Sequence, residues 1–119
     1  MNPVELKERT KVLGHTCTKL ALLLPQTNII ALHLRNELLA VAIDLPSKTR
    51  GLLVGQSTVN FVKKLSDCSE LADRCGYILE FIDDEKMMEP HLITPLMEEC
   101  NELIRLFYSA FKTVKDKLD

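Results

Sequence analysis

His33 and Glu37 stand four residues apart, a spacing that brings an imidazole and a carboxylate onto one face of a helix. Two such groups do not complete a metal site. Dinuclear sites in helical bundles need Glu-x-x-His pairs on facing helices, with further carboxylates to balance the ions, and the chain has no Glu-x-x-His. Cys68 and Cys75 share a helical stripe but lie about two turns apart, roughly 10 Å of rise, too far to hold one ion together. Arg35-Asn36 opens the Arg-Asn-x-x-x-His pattern with which some all-helical ribonucleases act on a 2′-hydroxyl and a phosphate. Ala40 occupies the histidine's position, so the general acid/base is missing. Gly51 and Gly55 lack the Lys-Ser/Thr that follows in a phosphate-binding loop, and no Ser or Cys has a base suggested beside it. The expectation is a protein that is not an enzyme. No catalytic residue, metal, cofactor or small-molecule substrate is expected. The chemistry that remains is charge, and its meaning depends on which elements bring it together.

Those elements are helices. Ile93, Met97, Cys100, Ile104, Phe107, Phe111, Val114 and Leu118 alternate steps of four and three, a sustained helical stripe. Leu92, Leu96, Leu103, Leu106 and Ala110 widen it to a core-facing band, and Pro90 or Pro95 suits the first turn. Val62, Leu65, Cys68, Ala72, Cys75, Leu79 and Ile82 define a third helix over about 58–83, capped by Ser57, with a loop at DDEKMMEP. Leu6, Leu13, Cys17, Leu20 and Leu24 define the first, over about 3–24, stopped by Pro25; Asn28 caps the second.

The second helix is apolar nearly all round from Ile29 to Leu45, so burial on more than one side is expected. Ile30, Leu34, Leu38, Val41 and Leu45 are the expected contacts with another copy of the chain in a homo-oligomer. Leu45 and Leu52 keep the phase of Ala31 and Leu38 across Pro46. A proline there removes the hydrogen bond to the Ala42 carbonyl and crowds that turn. Either the helix kinks at Pro46 and runs on to Arg50 or Val54, or it breaks at Leu45 and restarts. The fold class expected is all-α: an antiparallel up-down four-helix bundle, one domain over 1–119, with the second helix kinked at Pro46.

Composition agrees with a single aliphatic core: 46% hydrophobic residues, 5% aromatic and no Trp in 119 residues. No apolar run of membrane-spanning length occurs, so no membrane span is expected. The opening MNPVELKERTKVLG has no apolar stretch behind it, so no secretory signal is expected. The four cysteines then read as reduced, buried thiols in a cytoplasmic protein.

Up-down topology gives the charge a geometry. One pole collects the start of the first helix, the end of the second, the start of the third and the end of the fourth. It holds ten basic and six acidic residues, a local +4 that leaves −6 elsewhere within the net −2. Lys48, Arg50, Lys63, Lys64, Lys112 and Lys115 are the expected contacts with RNA or DNA, because a basic pole can track a phosphate backbone even on an acidic chain. The same charges also complement helix dipoles, as do Glu89, Glu98 and Glu99 at the start of the fourth helix. A protein-interaction scaffold that binds no nucleic acid is the alternative.

LRNELLAVAIDLPSKTRG followed by STVNFVKKL resembles the four-helix-bundle proteins encoded in intervening sequences of bacterial 23S ribosomal RNA genes. Leu45-Pro46-Ser47 matches that family's proline step, and Ser57-x-x-Asn60-Phe61 its opening of the third helix. MEECNELIRLFYSAFKTVKDKL is similar in character to its last helix. Lys48, Thr49, Gly51, Asn60 and Arg74 depart from the pattern, and the resemblance covers roughly residues 28–118. It implies a homopentamer of four-helix bundles without established enzymatic activity. The accessory variability determinant of diversity-generating retroelements shares that fold and works with a reverse transcriptase and its RNA. It is strongly basic, which this chain is not.

Overall fold

Asn2 starts the first helix by turning its side-chain oxygen onto the Glu5 backbone N–H at 2.9 Å, with Pro3 behind it in the first turn. The computed structural model describes residues 2–118, so Asp119 of the charge count and the side chain of Leu118 in the last stripe lie outside it. It is all-helical: α1 Pro3–Ala21, α2 Ile29–Arg50, α3 Thr58–Asp84 and α4 Pro90–Leu118, with a 3₁₀ turn at Gly51–Leu53 and no strand among the described residues.

α1 ends at Ala21, one turn earlier than the periodicity suggests. The residue before a proline is pushed out of the helical region, so the chain tightens ahead of Pro25. Leu23 and Leu24 donate to the carbonyls of Leu20 and Ala21 at 3.0 and 3.1 Å, and Leu24 stays buried outside the helix. Asn28 caps α2 by accepting from Ile30 and Ala31, and Ser57 caps α3 by accepting from Asn60. α3 closes on a left-handed Lys86 (φ 53°). Lys86 N–H bonds back to Asp83 and Met87 N–H to Ile82, which satisfies the last carbonyls of the helix. Pro90 opens α4 and Pro95 lies inside it, on the exposed side.

α2 does not break at Leu45; it runs through Pro46 to Arg50. The Ala42 carbonyl, which has no N–H donor at position 46, faces α1 instead. A methyl placed on Gly14 would lie 2.3 Å from that oxygen and 3.1 Å from the Pro46 ring. The glycine hydrogen occupying that direction therefore rests against the orphaned oxygen as a weak Cα–H···O contact. A glycine inside one helix and a proline inside the next, each unfavourable alone, fit one close crossing.

The four helices pack α1 on α2, α2 on α3, α3 on α4, with α4 also touching α1, in a body of 51 × 20 × 20 Å. Glu37 meets Arg74 and Lys48 meets Asp67 across α2 and α3, while Arg9 of α1 meets Glu99 of α4. The start of α1, the start of α3 and the end of α4 close around an apolar cleft of about 300 Å³ between Leu6, Phe61, Leu65 and Val114. Its only polar lining is Ser109 and Thr113.

The buried line of α4 is Ile93, Leu96, Cys100, Leu103 and Phe107; Met97, Ile104, Phe111 and Val114 are only half-covered. On α2 the expected interface set needs correction. Leu34, Leu38, Val41 and Leu45 are buried in the chain's own core, and only Ile30 is exposed. The apolar side chains that α2 leaves in water are Ile29, Ile30, Leu32 and Ile43, with Ile29 83% and Ile43 69% exposed. A helix apolar on all sides hides its core face from a one-dimensional reading. Both faces look alike until a neighbouring helix covers one.

Candidate nucleic-acid interface

Of the six basic residues expected to reach nucleic acid, several are occupied within the chain. Lys48 Nζ lies 3.6 Å from the Asp67 carboxylate. Lys64 Nζ donates to the Gly51 carbonyl at 3.4 Å, beside the Gln56 amide that donates to the same oxygen at 3.1 Å. Lys115 stands 5.7 Å from the Phe111 ring centroid, within cation–π reach. Lys63 and Lys112 point into solvent on α3 and α4. Arg50 alone among the six lines a groove whose cations have no carboxylate among them, and its companions come from α1.

The cluster is a groove of about 450 Å³ between α1 and the last turns of α2, lined by Lys7, Lys11, Ile43, Pro46, Ser47 and Arg50. Lys7 and Lys11 are one turn apart on one face of α1, and residues 43, 46, 47 and 50 are the face of α2 turned toward them. The register is held just behind the groove, where Gly14 meets Ala42 and Pro46. No carboxylate lines it. Lys7, Lys11 and Arg50 make no ion pair among the described residues. On the other side of α2, Asp44, Lys48 and Lys64 line a second groove of about 510 Å³ that includes Gly51 and Ser47. There the cations are offset by Asp44 and Asp67. Lys7 and Lys11 lie at the start of the first helix and so belong to the ten basic residues of the pole, outside the six expected contacts. Their i, i+4 spacing was the available signal.

The other candidate groups form structural contacts. His33 Nε2 lies 3.9 Å from Glu37, as their spacing suggests, but Glu37 also accepts from Arg74. Arg9 is held by two hydrogen bonds to Glu99, which, together with the Glu99 charge, raise its pKa against the opposing pull of burial. Among the described residues no group of three or more His, Cys, Asp and Glu could hold a metal ion. No described helix is long and apolar enough to cross a membrane.

All four cysteines are free and buried. Cys17 and Cys75 sit with sulfurs 3.8 Å apart, and Cys100 adjoins them from α4; contacts with Cys100 and Cys17, then burial, push the Cys75 thiol pKa far up. Burial likewise raises Cys68 from 9.0 to about 11, partly opposed by the Thr49 hydroxyl 3.7 Å away. Above pH 9 the unfolded thiol releases its proton while the folded one keeps it, so the folded state binds more protons and stability falls as pH rises. Urea midpoints measured across this range should drop between pH 9 and about 11. Cys68→Ala should remove part of that slope, up to about 3 kcal/mol at its upper end; a flat profile in the wild type would contradict the burial effect.

No family model, curated protein or solved structure matches the chain. The resemblance to the ribosomal intervening-sequence proteins therefore rests on the sequence motifs alone.

Proposed function

We propose that this chain is a non-enzymatic, cytoplasmic accessory protein that assembles with copies of itself and contacts RNA or DNA phosphates through a basic pole of an antiparallel up-down bundle. The observation that carries the reading is the groove at Lys7, Lys11 and Arg50, where three cations, Lys7 half-buried and the other two exposed, gather with no lining carboxylate. Clustered unpaired cations on an acidic chain give a local field that steers a polyanion while the net charge of −2 discourages indiscriminate adhesion. The up-down order is supported by the α2–α3 pairs, in which the position on α3 falls from Arg74 to Asp67 as that on α2 rises from Glu37 to Lys48. A kink at Pro46 is supported by its missing hydrogen bond and by the turn of Ala42 toward α1.

Assembly is supported by the uncovered Ile29, Ile30 and Leu32 of α2 together with Leu22 and Leu23 at the preceding turn. The family resemblance extends this to a homopentamer. The function is tested by fluorescence anisotropy of labelled single-stranded RNA and DNA at about 50 and about 200 mM salt. Saturable binding that weakens steeply with salt is expected. Absence of binding at the lower salt would leave a protein-interaction scaffold, the alternative that the same uncovered apolar residues favour.

A further inference from the structure

We propose that phosphate recognition is confined to the α1–α2 groove, where Lys7, Lys11, Arg50 and the Ser47 side chain form a niche for the phosphodiester backbone of a nucleic acid, while the neighbouring α2–α3 groove is silent. This rests on the nucleic-acid reading above and narrows it to one side of α2.

The two grooves flank the same turn of helix and share Ser47, but their electrostatics differ. Each residue of α2 is rotated by about 100° from the last, so 43, 46, 47 and 50 face α1 while 44, 48 and 51 face α3. The α1 side carries three cations and no carboxylate. On the α3 side Lys48 is spent on Asp67, Lys64 on the Gly51 carbonyl, and Asp44 adds a negative charge to the lining. An anion entering there would have to displace bonds already made; on the α1 side it would displace only water. Ile43, standing exposed at the end of the groove opposite Arg50, offers an apolar surface to a sugar or base flanking the bound phosphate. That surface favours a nucleic acid over a free phosphate.

The experiment compares the wild type with two surface variants. Lys7→Gln/Lys11→Gln/Arg50→Gln empties the α1–α2 groove of charge. Lys48→Gln/Lys64→Gln empties its neighbour. Thermal melts confirm that both fold, and each is titrated against a labelled single-stranded RNA and, separately, against inorganic polyphosphate. The groove variant should lose at least about tenfold in RNA affinity at low salt, and its log K against log salt slope should shrink by about 2, the release expected for three cations on a single strand. The neighbouring variant should bind within about twofold of wild type if its lysines are committed internally. RNA binding by the wild type that is lost in the Lys48/Lys64 variant instead would overturn the niche and leave the nucleic-acid function standing. Groove-dependent binding of polyphosphate with none of RNA or DNA would sink that function and keep the niche, with a free polyanion as its ligand. No binding of either polyanion would end both.

Discussion

Gly14→Ala is expected to destabilise the protein by about 2–3 kcal/mol, against the usual rule that alanine strengthens a helix. In an ordinary solvent-facing helix the exchange would gain up to about 1 kcal/mol. Here the new methyl would stand 2.3 Å from the Ala42 oxygen, inside contact distance of a backbone atom that cannot rotate away. Either α1 and α2 separate or one of them bends, and both loosen the packing around Leu13, Cys17 and Leu45. Urea unfolding measures the change. Gly55→Ala, where the added carbon meets nothing within 4 Å, is the control and should be neutral or slightly stabilising. A stabilised Gly14→Ala protein would show that the two backbones do not approach as described.

The second large effect belongs to Leu38. It is fully buried, so Leu38→Ala should cost about 3–4 kcal/mol through lost transfer energy and the cavity left behind. Ile29→Ala, on the uncovered part of the same helix, should change the stability of the isolated chain by no more than about 0.5 kcal/mol. Its effect should appear in the solution mass measured by light scattering, which falls if Ile29 is covered by another copy. A Leu38→Ala protein of unchanged stability but lower solution mass would instead restore Leu38 to the interface expected from the sequence.

The contrast between these residues marks what could be read from the sequence. Caps at Asn28 and Ser57 and the stripes through Leu65, Cys75 and Phe107 were legible because capping and periodicity are local rules. The orientation of α2 was not. An apolar helix has no weak face, and which side becomes core depends on where α1 and α3 come to lie. The role of Gly14 was hidden for a related reason: inside a helix a glycine reads as a loss of propensity, and its justification is a carbonyl on another helix. The basic pole was legible as a sum of charges but not as a site. Sequence counts Lys48, Lys64 and Arg50 alike, whereas Asp67 and the Gly51 carbonyl occupy the first two. Lys7 and Lys11 gain their meaning only from standing opposite Arg50.

The thiols set a different kind of boundary. Cys17, Cys68, Cys75 and Cys100 are distributed over three helices, and none reaches the surface. Oxidants and alkylating agents therefore meet them only in molecules whose bundle has opened. A sulfinate formed during such an opening carries a charge that the apolar interior cannot take back. Chemical ageing of this protein is thus gated by its own unfolding. How fast molecules are marked is set by how often the bundle opens, and a marked one is hindered in returning to the native state.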